Sequence, residues 1–221
     1  MFASILLAAP LVVLDPGHGG AAAGVESEGL KESEVTLEVA LVAAEVLRAG
    51  GLEVRLTRQT DKDVDLGSRI RRAAGASAFV SLHVNSAPGT QRRGTESYVA
   101  AIEGVEAIAV APIEGKPASP APPAPGVPGI LGDLRRRGAR WRAAELARLV
   151  QERLAAVPGM GPDRGVRQAP FAVVQNAKVP SVLVEMGFMT HPEQRRLLAQ
   201  SQVRRALGTA LAQGIVAFLE D

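Results

Sequence analysis

The sequence predicts an α/β domain, and two patterns along the chain lead to that prediction. Short apolar runs rich in valine and leucine, typical of buried strands, alternate with longer stretches in which apolar residues recur at helical spacing. The length of 221 residues, with 47% hydrophobic and 22% charged residues, suits one well-cored domain with an insertion. We therefore expect a single domain over residues 11–221.

The predicted elements follow from apolar periodicity and from the residues that interrupt it. The first strand is residues 12–14, ended by a proline and a glycine. Ser33 is predicted to cap a helix that starts at Glu34 and stops at Gly50. The remaining predicted strands are residues 53–57, 78–82, 94–101, 171–174 and 180–184, and the remaining predicted helices are residues 64–76, 139–156 and 202–219, with one more opened by a capping box at Thr190.

Two groups of polar residues are predicted to have no chemical role. The arginines at positions 69, 71 and 72 are expected on the solvated side of the predicted helix 64–76. His191 falls in the first turn of the helix after Thr190, where a histidine is expected to be structural.

Residues 104–138 differ in kind from the rest of the chain. They hold seven of the fifteen prolines and show no packing periodicity, although residues 105–110 and 130–137 have helical character. This composition predicts a semi-rigid, Pro-rich insertion within the domain.

The composition excludes several classes of protein. The chain has no cysteine, so disulfides and thiolate metal ligands are excluded and any metal must be held by histidines and carboxylates. A net charge of +2 and 3% aromatic residues give no support for nucleic-acid binding. No apolar run approaches the roughly 20 residues of a membrane span. Residues 1–10 are apolar, and they are either a lead-in to the first strand or the remnant of a signal sequence.

Four polar residues stand at predicted strand or helix ends in apolar surroundings, namely His18, Glu32, His83 and Glu185. Such ends are where α/β proteins usually place their chemistry. Two histidines and one carboxylate form a known catalytic zinc set with a fourth position left for water, and a second carboxylate would serve as general base. Each residue also has a structural interpretation, such as a carboxylate favoured at a helix N-terminus for Glu32. Spacing alone therefore leaves the metal site open.

Seven motifs make the chain resemble a known family. They are, in order, VVLDPGHGG, GLKESEVTL, LTR, FVSLHVNS, GTESYV, RGV and PSVLVEMGF. In this order they resemble the zinc-dependent N-acetylmuramoyl-L-alanine amidases of the type 3 amidase family. The resemblance spans almost the whole chain except the first ten residues and the insertion. It implies a mostly parallel or mixed twisted sheet with helices on both faces.

The resemblance also implies roles for individual residues. His18, Glu32 and His83 match the residues that bind Zn²⁺ in this family, and Glu185 matches the catalytic glutamate. Glu34, two positions beyond Glu32, is the rival candidate for the carboxylate ligand.

Three further polar residues are candidates for supporting roles. Asp15 and Asn85 could orient the metal ligands through hydrogen bonds. Glu96 either faces the cleft or is a solvated residue at a strand edge, and both interpretations stay open.

The function that the resemblance implies is hydrolysis of the amide between N-acetylmuramic acid and L-alanine in peptidoglycan. An enzyme of this kind would be exported to the periplasm or cell envelope, where it would serve wall remodelling and daughter-cell separation. A zinc peptidase acting on wall peptides and a non-catalytic, amidase-like activator are the alternatives. By analogy with relatives in which an extra segment blocks the cleft, residues 104–138 would regulate access or bind a protein activator.

Overall fold

A computed structural model describes residues 9–101, 127–175 and 177–221. Residues 1–8 of the predicted lead-in and residues 104–126 of the predicted insertion lie outside these ranges. The described strands are β1 (Leu11–Pro16), β2 (Glu26–Ser27), β3 (Leu30–Lys31), β4 (Glu53–Leu56), β5 (Ala78–Asn85), β6 (Thr95–Ala100), β7 (Asp163–Ala169) and β8 (Ser181–Phe188). The described helices are α1 (Glu32–Ala49), α2 (Leu66–Arg72), α3 (Val127–Ala155), α4 (Ala172–Gln175), α5 (Pro192–Leu198) and α6 (Ser201–Glu220). None of these helices combines the length and the apolar character that crossing a bilayer requires.

Six strands form one mixed sheet in the order β4-β1-β5-β8-β6-β7. Strands β4, β1, β5 and β8 run parallel, β6 is antiparallel to β8, and β7 is parallel to β6. Strands β2 and β3 pair separately as a short hairpin directly before α1. The predicted α/β class with a mostly parallel sheet is therefore confirmed.

Helices of very different length cover the two faces of the sheet. One face packs alternate residues of the central strands, such as Leu14, Val80 and Val184, against α1, α3 and α6. The other face packs Val13 and Phe79 near α4 and the end of α2. Helices α1, α3 and α6 have 18, 29 and 20 residues, whereas α2 and α4 have 7 and 4. The α2/α4 face is therefore the less covered one.

The start of α1 differs from the prediction. The helix begins at Glu32, with Lys31 rather than Ser33 at the N-cap. The first two amides of the helix donate hydrogen bonds to carbonyls of the preceding loop and not to a capping side chain. Glu32 N–H donates to Val25 O at 2.9 Å, and Ser33 N–H donates to Ala23 O at 3.0 Å. Glu32 thus belongs to the first helical turn and is held by the preceding loop.

The predicted strand at residues 171–174 is wrong, because Ala172–Gln175 form the short helix α4. The amides of Val174 and Gln175 donate back to Phe171 O at 3.1 and 2.8 Å, which closes a helical turn. A short apolar run is compatible with a strand or a helix, and periodicity cannot separate the two. The edge of the sheet is instead formed by the more polar strand β7.

The long helix α3 begins at Val127 rather than at residue 139. Residues 127–138 of the predicted insertion are therefore helical and continuous with the domain.

Helix α6 approaches α1 closely at Gly208. A Cβ at this position would lie 2.7 Å from Val42 Cβ and 2.8 Å from Val39 O. Alanine is favoured over glycine inside a helix by about 1 kcal/mol, but overpacking costs about 1–3 kcal/mol, and here the backbone carbonyl cannot move aside easily. We predict that Gly208→Ala lowers the free energy of unfolding by about 1–2 kcal/mol in urea denaturation.

Gly138→Ala in α3 is the matched control for this experiment. Apart from the helix's own backbone, no atom of the described residues lies within 4 Å of the Cβ position at residue 138. The same substitution should therefore raise the free energy of unfolding by about 0.5–1 kcal/mol. Equal effects at the two positions would contradict the close approach of α6 to α1.

Candidate metal centre

Three of the predicted site residues come together at one edge of the sheet. His18 follows β1, Glu32 opens α1, and His83 lies in β5, the strand next to β1. The carboxyl ends of neighbouring parallel strands share an edge, which brings these segments together. One ligand atom from each of the three side chains lies within 4.8 Å of the others.

The carboxylate of Glu32 stands at the centre of this cluster and is completely buried. Its Oε1 lies 3.0 Å from His83 Nδ1 and 3.2 Å from His18 Nε2. The Val84 N–H donates to Oε1 and the Val25 N–H donates to Oε2, each at 3.0 Å. The carboxylate is therefore fixed from both sides by backbone as well as by the two imidazoles.

The surroundings of Glu32 keep it ionised. Burial alone raises the pKa of this carboxyl, but contacts with the imidazoles of His18 and His83 outweigh burial and hold the pKa below its ordinary value. An anionic carboxylate beside two imidazole nitrogens is a donor set for a divalent cation.

Small residues allow the loops to close on the ligands. A Cβ on Gly17 would lie 2.6 Å from His83 Cε1, and one on Gly24 would lie 2.5 Å from Glu32 Oε2. His18 itself has a φ of 58°, in the left-handed region that L-residues rarely adopt. A non-glycine residue held in this conformation at a site is backbone strain that the surrounding structure maintains.

A buried arginine that the sequence analysis did not single out holds the loop after β1. Arg58 Nε donates to Pro16 O at 3.1 Å, and its Nη2 donates to Gly17 O at 2.8 Å and to Ser33 O at 2.7 Å. The guanidinium thereby ties the loop that carries His18 to the first turn of α1 that carries Glu32. Arg58 closes the LTR motif, and that motif was the signal available in the sequence.

Asp15 is buried and supports the same loop. It accepts hydrogen bonds from Thr57 Oγ1, Ser81 Oγ and Arg69 Nη1 at 2.5, 2.7 and 2.7 Å. Arg69 Nη2 in turn donates to His18 O at 2.7 Å. Asp15 therefore acts on His18 through Arg69 and the backbone. The prediction that Arg69 is solvated is wrong, since only 8% of it is exposed.

Glu185 and His83 lie within strands rather than at strand ends, because β8 and β5 are longer than predicted. Glu185 is buried and is the register partner of His83 on one side and of Glu96 on the other. In-register residues of adjacent strands project to the same face. The candidate base is thus placed one strand away from a candidate metal ligand.

The other predicted residues have simpler positions. The Asn85 Nδ2 donates to Glu96 Oε1 at 2.6 Å, and a role of Asn85 in orienting a metal ligand stays a prediction. Glu96 is buried, which excludes the interpretation as a solvated edge residue. Glu34 is exposed and lies outside the cluster. His191 is the N-cap of α5, and its side chain accepts a hydrogen bond from Gln194 N–H, which agrees with the structural role expected for it.

This fold and this cluster define an α/β protein with a candidate centre for metal-dependent hydrolysis. Residues 12–217 match the family described as N-acetylmuramoyl-L-alanine amidase, and the chain belongs to that family. The family predicted from the seven motifs is thereby confirmed.

Individual relatives agree with this assignment. The chain is 30% identical to the N-acetylmuramoyl-L-alanine amidase AmiA of Escherichia coli, over 94% of this chain and 75% of that protein. It is 32% identical to the amidase AmiC of Neisseria meningitidis, over 95% of this chain and 53% of that protein. The solved structure of the amidase AmiC2 of Nostoc punctiforme has a TM-score of 0.73 and 29% identity, covering 96% of this chain and 98% of its own. An amidase structure from Clostridium difficile, at 23% identity and a TM-score of 0.75, shows the same fold.

Replacing Arg58 with lysine tests the scaffold of the centre. Lysine keeps the positive charge, but its ammonium cannot donate to three separated carbonyls as a guanidinium fork does. Because buried carbonyls would lose their donors, we predict that Arg58→Lys lowers the free energy of unfolding by about 2–4 kcal/mol.

Urea denaturation of Arg55→Lys provides the control, since the Arg55 side chain on β4 is 47% exposed. That variant should stay within about 0.5 kcal/mol of the wild type. A similarly small effect at Arg58 would show that the loop is held by other contacts.

Proposed function

We propose that the chain hydrolyses the amide between N-acetylmuramic acid and L-alanine in peptidoglycan, using a zinc ion held by His18, Glu32 and His83. The observation that carries this proposal is the convergence of these three side chains within 4.8 Å of one another, beside Glu185 on the next strand. Membership of the amidase family supplies the substrate class.

The residues present fit a zinc ion. Two imidazoles and one carboxylate are a catalytic donor set, which leaves a coordination position for water or substrate. His18 Nε2 is buried and makes no hydrogen bond of good geometry within the described residues, although Glu32 Oε1 lies 3.2 Å away. A bound cation would satisfy this nitrogen and would balance the buried carboxylate.

The reaction would use Glu185 twice. A zinc ion bound at this centre would supply Lewis acidity, lowering the pKa of a coordinated water to about 7 and polarising the amide carbonyl. Glu185 would accept the proton of the attacking water as its oxygen bonds to the carbonyl carbon. It would then return that proton to the alanine nitrogen as the C–N bond breaks. The products would be the muramic acid carboxylate and a free stem peptide.

The proposed substrate, peptidoglycan, lies in the cell envelope. We infer that the chain acts after export, in the periplasm or wall, where it would contribute to remodelling and to separation of daughter cells. The regulatory role of residues 104–138, including a protein activator, stays a prediction, because residues 104–126 lie outside the described part of the chain.

Metal removal and product analysis test the proposed reaction. Chelation should abolish release of stem peptide from purified peptidoglycan, and added Zn²⁺ should restore it, because the attacking water would lose its activation without the ion. Mass spectrometry should find peptides that begin with L-alanine and glycan that retains the muramic acid carboxylate. Peptides cut between amino acids would instead indicate a zinc peptidase, and activity that survives chelation would contradict the metal.

Substitution of Glu185 tests its assignment as the base. Glu185→Gln is nearly isosteric but cannot accept a proton, so we predict that kcat falls by about 10²–10⁴-fold while the bound zinc content is unchanged. Glu193→Gln on α5, whose side chain is 56% exposed, provides a matched control with unchanged turnover. Undiminished turnover in Glu185→Gln would overturn the assignment.

A further inference from the structure

A row of side chains leads from the candidate metal centre across the α2/α4 face of the sheet. His83 on β5, Glu185 on β8 and Glu96 on β6 are register partners on successive strands. The next strand is β7, at the edge of the sheet. Since Glu185 would protonate the leaving amine, the leaving peptide would lie on the Glu185 side of the centre, toward β6 and β7.

An irregularity in β7 directs one arginine at Glu96. The register between β6 and β7 shifts between Thr95 and Ser97, and Gly165 has a φ of 79°, a left-handed conformation that glycine adopts in one class of β-bulge. Arg164 Nε donates to Glu96 Oε2 at 2.7 Å, and Glu96 is only 3% exposed. The charge of Arg164 is therefore used to balance a buried carboxylate.

A second arginine of β7 lies beside this pair. Arg167 is the register partner of Tyr98, which places it on the same face, and its Nε lies 3.8 Å from Glu96 Oε2. Its Nε also donates to Arg164 O at 3.4 Å, and its side chain is 34% exposed. Within the described part of the chain, no hydrogen bond engages its two Nη groups. Two guanidiniums thus lie beside the carboxylate of Glu96, and Arg164 is the one at hydrogen-bond distance from it.

The spacing of this cation from the centre matches the length of a short peptide. Adjacent strands lie ~4.8 Å apart, so the backbone of Glu96 is about 10 Å from that of His83. The side chain of Arg167 reaches from β7 to within 3.8 Å of the Glu96 carboxylate, so its charge lies at about the same distance. An extended peptide rises ~3.3 Å per residue, so about three residues would span this distance. Peptidoglycan stem peptides carry one carboxylate on their second residue, a γ-linked glutamate, and another at the C-terminus.

We propose that Arg167 binds a carboxylate of the stem peptide on the leaving-group side of the centre, and that the Glu96–Arg164 pair positions it. This inference deepens the proposed function and rests on it for the identity of the peptide. Planar guanidinium groups suit carboxylates because they can donate two parallel hydrogen bonds.

Steady-state kinetics on muramoyl peptides test the inference. Arg167→Gln should raise KM by about ten-fold, because a charge-assisted hydrogen bond is lost, while kcat stays within about two-fold. Arg167→Lys should recover part of that loss, since it keeps the charge without the fork. Arg205→Gln, an exposed arginine on α6 over the opposite face of the sheet, is the charge-matched control and should leave KM unchanged.

Two amidated substrates identify the carboxylate. If Arg167 binds the carboxylate of the second residue, amidation of that residue should abolish the difference in KM between wild type and Arg167→Gln. If Arg167 binds the C-terminal carboxylate, amidation of the C-terminus should abolish it instead. The inference is overturned if Arg167→Gln does not raise KM, or if the rise persists on a doubly amidated substrate.

Binding of the free stem peptide, measured by calorimetry, separates this inference from the proposed reaction. Arg167→Gln should weaken binding of the unmodified peptide by about ten-fold and should not change binding of the doubly amidated one. Carboxylate-dependent binding through Arg167 in a protein that releases no peptide would support the inference and contradict the proposed reaction. Normal peptide release, together with peptide binding that does not depend on Arg167, would support the proposed reaction and contradict the inference.

Discussion

The candidate centre depends on keeping the carboxylate of Glu32 ionised although it is completely buried. An isolated buried charge is strongly unfavourable, so this one persists only with close partners. Val25 and Val84 donate backbone N–H groups to it, and the imidazoles of His18 and His83 lie against Oε1. These partners come from different segments, namely the loops before α1 and strand β5. The charge is therefore satisfied only when all of these segments are in place, and the same requirement assembles the donor set.

Two buried arginines hold the loop that carries His18. Arg58 and Arg69 both donate to the Pro16 carbonyl and lie almost completely inside the protein. Burial lowers the pKa of Arg58, and the nearby charge of Arg69 adds to this effect, while Asp61 and Asp15 oppose it. Arginine stays protonated even so, and its fixed fork can serve several carbonyls at once. The carbonyls of the loop that carries the left-handed His18 are thus held by these two buried cations.

The sequence predicted the site residues that adjoin apolar strands or lie in the family motifs. It did not predict features that depend on how the side chains are arranged in three dimensions. His18, His83 and Glu185 were predicted as site residues because each follows or interrupts an apolar run, and two of those strands are longer than predicted. Arg69 was misplaced because a basic residue in a short helix has the same pattern whether its side chain faces solvent or a buried carbonyl. The helix at residues 172–175 was missed for a similar reason, since its apolar run is too short for its period to be determined.

The charges around Glu96 explain how two carboxylates can stand on adjacent strands of one sheet face. Glu185 and Glu96 are register partners, and like charges placed directly opposite repel. Glu96 accepts hydrogen bonds from Asn85, Tyr98 and Arg164, and the guanidinium offsets its charge. Burial raises the pKa of Tyr98, and the hydrogen bond to Glu96 raises it further, so the phenol remains a neutral donor. Repulsion between the two glutamates is thereby reduced, because Arg164 balances the charge of Glu96.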